Sequence, residues 1–331
     1  MVQKKVALPA LGAGVVIMGG LAGRALISRW RKNPDPLDGQ PVAFPAGEQR
    51  RVELPDGAVI NTVTVGDGPT ILCVHGLTAS RHDWGPLAPL LVDAGFQLVA
   101  IDQRGHGDST AGRSGYGSTQ LGHDLAFVLD SLDIEAVALM GHSMGGMASM
   151  SYAVDYEEDF RRRIGALVLL ATAGSLKTGR HSLGLRLGGI GIPESLRPPT
   201  ERLRVAAGLG AFGANPSLHM IDEAIRSYEN CADDVRLAAT AELRGHDVLD
   251  KLSSVIAPAM VVGGTRDQLI RPFQVRQLAD ALERAELTML DGAGHMLIWE
   301  RHRDIAERVV DFLGRNSAGA IPRPRADVEP A

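Results

Sequence analysis

Short apolar runs alternate with amphipathic stretches along the central part of the chain. The runs have the length of buried β-strands, whereas the stretches between them carry apolar residues at the spacing of one helix face. Strands that are buried on both faces of a parallel sheet read as such nearly continuous apolar runs. The pattern therefore predicts an α/β fold with a mostly parallel, doubly covered sheet.

The predicted elements follow one another in a regular order. Two strands, 51–54 and 59–65, flank Pro55-Asp56-Gly57 and predict a β-hairpin. The remaining strands are predicted at 70–74, 97–101, 136–140, 166–171, 259–262 and 286–290. Helices are predicted at 84–94, 119–132, 145–156, 272–284 and 303–313. Helices between strands supply the crossover connections that a parallel sheet needs.

One long segment interrupts this alternation. From Gly174 to about Leu252 there is no strong strand pattern, and helical patterns cover 217–228 and 234–243. A structureless loop of such length is uncommon inside a compact domain. The segment is therefore predicted to be a helical cap inserted between two strands of the sheet.

The N-terminus carries an uncharged run at residues 6–23, with basic residues on both sides. Its 18 residues are at the lower limit for crossing a bilayer, and five glycines make it weakly hydrophobic. We expect it to attach the protein to a membrane, with the catalytic domain in the cytoplasm because most flanking basic residues follow the run. An exported domain and a Gly/Ala-rich tail are the alternatives. A chain that starts near Gln40 is expected to be soluble and active.

Composition divides the chain into an anchor, a linker, a catalytic core, a cap and a tail. The linker is predicted from a stretch rich in Pro, Gly and Asp, and the disordered tail from a Pro-containing C-terminus. The predicted boundaries are 1–32 for the anchor, 33–48 for the linker, 49–173 and 253–315 for the core, 174–252 for the cap and 316–331 for the tail.

Charge and cysteine content exclude several classes of function. A net charge of −5 argues against nucleic acid as a partner, because phosphate binding needs clustered positive charge. Cys73 lies in a predicted buried strand, and with Cys231 it offers one pair at most, which is no disulfide framework. No Cys/His cluster has the spacing of zinc ligands. Neither a metal nor an organic cofactor is expected, and the oligomeric state is left open.

The strongest chemical signal is the G-x-S-x-G motif that contains Ser143 between a predicted strand and a predicted helix. Such a strand-to-helix turn, a nucleophile elbow, forces the serine into a strained conformation with its hydroxyl exposed. The alternative is a glycine-rich turn that happens to hold a serine. The context on both sides favours Ser143 as a nucleophile.

A serine nucleophile needs a base, and the base needs a group that orients it. His295 follows a predicted strand late in the chain, in a loop with two glycines, and is the expected base. Asp267 follows the preceding predicted strand and is the expected acid. The order Ser143, Asp267, His295 is the one that this type of triad uses. Asp247 and Asp250 are weaker alternatives for the acid.

Acyl transfer also needs donors for the oxyanion. The backbone N–H of Met144, directly after the nucleophile, is one expected donor, and that of Leu77, in the loop after strand 70–74, is the other. His75 in the same loop is interpreted either as a second base or as a residue that braces the loop, and bracing is favoured.

These motifs resemble the α/β-hydrolase superfamily, in particular its serine esterase and lipase-like branch with a helical cap. The resemblance covers about residues 52–314 and includes DQRGHGDS at 102–109, whose role in the relatives is mainly architectural. Ser143 stands where epoxide hydrolases and haloalkane dehalogenases have an aspartate, and His142 where carbon–carbon hydrolases usually have Asn.

The resemblance implies hydrolysis of a small-molecule or lipid-like carboxylic ester. A lipophilic substrate is indicated by apolar cap residues, although these are equally typical of an ordinary cap core. The residues concerned are Leu183, Leu185, Leu187, Ile190, Ile192, Leu209 and Phe212. The alternatives are perhydrolysis, amide hydrolysis or carbon–carbon cleavage by the same triad, or a non-catalytic binding protein with the same fold.

Overall fold

The computed structural model describes residues 21–177 and 200–316. Most of the predicted membrane run, the part of the cap at 178–199 and nearly all of the predicted tail therefore lie outside the described residues. The same holds for five of the apolar cap residues, from Leu183 to Ile192.

An eight-stranded sheet forms the centre of the described structure, in the order β1-β2-β4-β3-β5-β6-β7-β8. β1 and β2 form the predicted antiparallel hairpin, β2 is antiparallel to β4, and every other neighbouring pair is parallel. The predicted mostly parallel sheet is confirmed. Its strands are β1 (Glu48–Glu53), β2 (Val59–Val65), β3 (Thr70–Val74), β4 (Gln97–Asp102), β5 (Val137–His142), β6 (Ile164–Leu170), β7 (Ala259–Gly264) and β8 (Ala285–Leu290).

Helices cover both faces of this sheet. Side chains of a strand alternate between its two faces, and in β3 Ile71 and Cys73 join one apolar cluster whereas Leu72 and Val74 join the other. The helices are α1 (Leu21–Trp30), α2 (Ala88–Asp93), α3 (Ser118–Ser131), α4 (Met144–Asp155), α5 (Glu157–Arg163), α6 (Thr200–Gly210), α7 (Leu218–Asn230), α8 (Asp233–Leu243), α9 (Pro272–Ala281), α10 (Leu297–Glu300) and α11 (His302–Asn316), with 3₁₀ helices at Arg81–Trp84 and Leu249–Ser254.

The predicted helical cap is inserted between β6 and β7, where the described residues contain α6, α7 and α8. Two of these helices coincide with the helical patterns predicted at 217–228 and 234–243. Helix α7 begins after Ser217, whose hydroxyl accepts a hydrogen bond from the N–H of Met220 at 3.1 Å. Such a bond satisfies one of the free N–H groups at the start of a helix.

Two helical regions differ from the prediction. The helix predicted at 84–94 is a 3₁₀ turn followed by the shorter α2, because Pro86 and Pro89 lack the N–H groups that one continuous helix would need. Helix α5 was not predicted. It has three acidic residues in its first turn and three arginines in its last, which is the arrangement that the helix dipole favours.

The N-terminal segment packs against the cap. Ile27 and Trp30 of α1 are buried in the same apolar cluster as cap residues, and a Cβ added at Gly208 would lie 2.7 Å from the indole of Trp30. In the segment predicted as a linker, Leu37 and Phe44 are buried as well. The stretch is thus a packed segment, because its few apolar side chains are buried in the core although prolines surround them.

Hydrogen bonds join the same segment to the start of α7. The side-chain amide of Asn33 donates to the carbonyl of Pro216, and the hydroxyl of Ser217 donates to Asp35, both at 2.8 Å. A chain that starts near Gln40 would lack these bonds and the buried Trp30, whose removal alone would cost about 3–5 kcal/mol. We therefore expect a stable catalytic unit to include α1.

Within the described ranges, no helix is both long enough and apolar enough to cross a bilayer.

Candidate active site

Ser143 occupies a strained turn between β5 and α4. Its φ is 51° and its ψ is −116°, and a positive φ is rare for a residue other than glycine. The turn is fixed on both sides, since Ser143 N–H donates to the carbonyl of Leu170 at 2.9 Å and Thr172 Oγ1 donates to the Ser143 carbonyl at 2.7 Å. Ser143 remains partly exposed while both of its chain neighbours are buried.

The glycines of the motif allow the backbone to pack closely around this turn. A Cβ added at Gly145 would lie 2.0 Å from the carbonyl oxygen of Val74 in β3, and one at Gly141 would lie 2.6 Å from the N of Gly146. A side chain at Gly145 would therefore push the turn away from β3, and one at Gly141 would clash with the first turn of α4. The motif therefore has a steric basis in addition to its chemical one.

A chain of hydrogen bonds joins Ser143 to His295 and Asp267. His295 Nε2 lies 3.0 Å from Ser143 Oγ, and His295 Nδ1 lies 2.9 Å from Asp267 Oδ2. The other carboxylate oxygen of Asp267 accepts the N–H groups of Leu269 and Ile270 at 2.8 and 2.9 Å. With Nδ1 donating to the carboxylate, Nε2 has a lone pair that can take the serine proton.

The acid and the base lie on neighbouring loops at the carboxyl ends of β7 and β8. Arg266 N–H donates to the carbonyl of Ala293 at 2.9 Å. A Cβ added at Gly264 would lie 2.3 Å from the same oxygen, so the two loops approach as closely as backbones can. Parallel strands bring their carboxyl ends to one edge, and this contact sets the separation of Asp267 from His295.

His142 holds the backbone of the expected base in place. The sequence did not predict this role. His142 Nε2 lies 3.0 Å from the carbonyl oxygen of His295 and donates to it, and the two rings are 5.0 Å apart. Burial lowers the pKa of His142 to about 3, with the nearby His295 acting in the same direction. A neutral His142 therefore holds the backbone of the catalytic histidine.

Of the two residues expected to bind the oxyanion, Met144 directly follows Ser143 and Leu77 lies in the loop after β3. Met144 is the first residue of α4, where backbone N–H groups have no partner inside the helix. Leu77 follows Gly76 directly, and a Cβ added at Gly76 would lie 3.3 Å from Ser143 Cβ. The loop after β3 thus runs alongside the serine.

His75 braces that same loop. Gln103 N–H donates to His75 Nε2 at 2.9 Å, and His75 Nδ1 donates to the carbonyl of Gly76 at 2.7 Å. Burial lowers the pKa of His75 to about 3. Because both ring nitrogens already have partners, His75 has no free lone pair with which to act as a second base.

The DQRGHGDS turn is held by buried ion pairs. Arg81 N–H donates to Asp102 at 2.7 Å, and its guanidinium contacts Asp102 and also Asp108. Arg104 donates to Asp124 of α3 at 2.7 Å. These pairs fasten the turn to its neighbours, as an architectural role requires.

The two described cap residues from the apolar set have different environments. Phe212 is buried and its ring lies 6.3 Å from that of Trp299, whereas Leu209 is 49% exposed. Phe212 thus joins the cap to the buried apolar cluster that contains Trp299. Across residues 21–177 and 200–316, no group of three or more His, Cys, Asp or Glu side chains is arranged to hold a metal ion.

Comparisons with known proteins point to hydrolases. A family model described as the alpha/beta hydrolase fold matches residues 69–188. A candidate carbamate hydrolase from Variovorax paradoxus is 27% identical over 77% of this chain and 96% of its own length. A 2-hydroxy-6-oxononadienedioate/2-hydroxy-6-oxononatrienedioate hydrolase from Cupriavidus pinatubonensis is 27% identical over 81% of this chain and 96% of its own. The structure of an esterase from Exiguobacterium antarcticum matches with a TM-score of 0.72 at 19% identity, covering 80% of this chain and 99% of that one.

Proposed function

Since the chain belongs to the α/β-hydrolase superfamily, we propose that it cleaves carboxylic esters through an acyl-enzyme on Ser143. The observation that carries this proposal is the hydrogen-bond chain from Asp267 through His295 to Ser143. A serine hydroxyl is a weak nucleophile until a base accepts its proton. In this arrangement His295 is that base, because donation from Nδ1 to Asp267 leaves a lone pair on Nε2 for the serine proton.

The reaction would proceed in two halves. Ser143 Oγ attacks the ester carbonyl while His295 Nε2 takes its proton, and the backbone N–H groups of Leu77 and Met144 stabilise the oxyanion. His295 then protonates the leaving alcohol, and Asp267 stabilises the imidazolium in between. A water molecule then gives a proton to His295 and adds to the acyl carbon. As the bond from that carbon to Ser143 Oγ breaks, His295 returns the proton to Ser143 and the acid is released. The sequence of steps requires no metal and no organic cofactor.

We favour a lipophilic small-molecule or lipid-like ester as the substrate, because the cap contributes apolar side chains such as Phe212, Met220 and Ile221 to a buried cluster. Relatives named as carbamate and carbon–carbon hydrolases keep those bonds as alternatives for the same triad. Perhydrolysis, amide hydrolysis and ligand binding without catalysis are further alternatives.

Labelling with a fluorophosphonate probe and an ester panel together test this function. We expect the probe to label Ser143, because phosphonylation requires an activated serine, and we expect p-nitrophenyl esters of increasing acyl length to be hydrolysed. Matched amides and carbamates, together with a vinylogous diketone as the carbon–carbon substrate, should be turned over at least about 100-fold more slowly. Faster cleavage of any of these would replace the ester proposal, and absence of labelling would favour a binding protein.

We also propose that residues 6–23 attach the enzyme to a membrane, with its catalytic domain on the cytoplasmic side. The support is the length of the uncharged run and the basic residues that follow it. The direct packing of α1 against the cap would then hold the cap close to the lipid surface.

We expect the full-length protein to sediment with membranes and a variant lacking residues 1–20 to be soluble and active. This variant keeps α1 and the buried Trp30, whereas removal of residues 1–40 should destabilise the cap. Alkaline carbonate extraction distinguishes an integral segment, which stays in the pellet, from a peripheral one, which is released. Full-length protein found wholly in the soluble fraction before extraction would contradict membrane attachment.

A further inference from the structure

Glu300 lies at the end of α10, five residues after His295, and its carboxylate joins two separate parts of the chain. One oxygen accepts the N–H of Gly294 and the other accepts the N–H of Gly213, both at 2.9 Å. Gly294 directly precedes the catalytic histidine, whereas Gly213 belongs to the cap segment between α6 and α7. Hydrogen bonds to an ionised acceptor are about twice as strong as neutral ones.

The two peptides that Glu300 joins lie in direct backbone contact. Ala214 N–H donates to the carbonyl of Gly292 at 2.8 Å, and Met296 N–H donates to the carbonyl of Ala211 at 2.9 Å. We call residues 211–214 the cap segment and residues 291–296 the histidine loop. Backbone hydrogen bonds lie at both ends of this contact, and the Glu300 carboxylate bonds to both segments between them. The cap segment and the histidine loop are therefore fixed relative to each other.

Steric limits explain why glycines occupy the centre of this contact. A Cβ added at Gly213 would lie 2.0 Å from the carbonyl oxygen of Gly292, and a Cβ added at Gly294 would lie 2.3 Å from the carbonyl carbon of Phe212. Neither obstacle is the flexible end of a side chain, so the cap segment cannot sit on the histidine loop with a side chain at either position.

The carboxyl group of Glu300 is largely removed from solvent. Burial raises its pKa to about 7, and the negative charge of Asp267 acts in the same direction, whereas the N–H groups of Gly213 and Gly294 act against both. Burying a carboxyl group costs free energy, which its hydrogen bonds to Gly213 and Gly294 offset in part. The surface of the same region offers an exposed acid, Glu307, for comparison.

We infer that Glu300 is a positioning residue, which aligns the His295 imidazole with Ser143 by holding the cap segment on the histidine loop. The inference rests on the proposed serine hydrolase function. In this role the cap would help to align the catalytic residues as well as cover the substrate. A displacement of about 1 Å in a reacting group can cost about 100-fold in rate, so modest loosening of this contact should be measurable.

Replacing Glu300 with glutamine tests the inference. Glutamine has nearly the same size, but its amide offers one acceptor oxygen, and its NH₂ group would face the N–H of Gly213 or Gly294. We expect the rate of fluorophosphonate labelling of Ser143 and the kcat for esters to fall about 100-fold, with KM changed by less than about threefold. A residue with a merely structural role would lower the amount of folded protein without this division between kcat and KM.

Gly213→Ala approaches the same contact from the cap side. It should also slow labelling about 100-fold, and the double variant with Glu300→Gln should lose much less than the product of the two effects, because both disrupt one contact. Glu307→Gln, on the exposed face of α11, is the matched control and should label at the wild-type rate.

Labelling rates separate the possible outcomes. If the wild type is not labelled, the serine hydrolase proposal fails and the positioning role fails with it. If the wild type is labelled and folded Glu300→Gln matches its rate, only the positioning role is overturned. Should Glu300→Gln not fold, Gly213→Ala decides alone, and a wild-type labelling rate in that variant overturns the inference.

Discussion

Ser143→Ala is expected to reduce ester turnover by about 10⁶-fold while leaving the protein folded. The substitution removes the only atom that can form the acyl bond, and residual activity would come from oxyanion stabilisation and substrate binding. Stability should change little, because alanine keeps the Cβ of Ser143 in its strained turn and loses only the hydroxyl bonded to His295. Steady-state kinetics and thermal unfolding of both proteins measure these two effects.

Ser151→Ala is a suitable control for this experiment. Ser151 is a buried serine in α4, and its hydroxyl has no hydrogen-bond partner among the described residues. Removing an unsatisfied buried hydroxyl is neutral or slightly stabilising, so activity should stay at the wild-type level. Turnover by Ser143→Ala that approaches this control would show that Ser143 is not the nucleophile.

Asp267→Asn is expected to lower kcat by about 10⁴-fold at neutral pH. Asparagine can still accept the N–H groups of Leu269 and Ile270 through its single oxygen. Its NH₂ group would then face His295 Nδ1 and favour the tautomer with the proton on Nε2. That tautomer donates to Ser143 Oγ and cannot remove its proton. Kinetics at saturating ester, compared with fluorophosphonate labelling, should show the same loss in both.

Asp247→Asn is the matched comparison for the acid. Asp247 was the alternative from the sequence, but it lies at the surface, 3.5 Å from Lys177 Nζ, and its side chain is 40% exposed. An exposed pair of this kind contributes little to stability, so this variant should keep nearly full activity. A severe effect at Asp247 together with a nearly silent change at Asp267 would mean that the acid has been assigned to the wrong residue.

Several features of the site could be predicted because they depend on short stretches of chain. The turn at Ser143 needs an apolar strand before it, a helix after it and glycines on both sides, and all of these are adjacent in sequence. Asp267 and His295 could be predicted for a similar reason, since each lies in the loop that follows a strand of the sheet. Parallel strands then bring their carboxyl ends to the same edge of the sheet, so the local order of elements already indicated that these residues would meet.

Contacts between distant segments were not predictable in this way. The side chain of His142 bonds to the carbonyl of His295, and that of Glu300 bonds to the N–H groups of Gly294 and Gly213. The partner in each bond is a backbone group, which every residue possesses and which leaves no pattern in the sequence. The sequence assigns Trp30 to the predicted membrane anchor, because an apolar residue can pack against lipid or against a cap equally well. Periodicity and motif spacing thus determined the strands, the cap insertion and the three residues of the proposed triad. Only the tertiary structure decided that α1 packs against the cap and that His142 and Glu300 hold the loop of His295. Burial and backbone pairing depend on partners far along the chain.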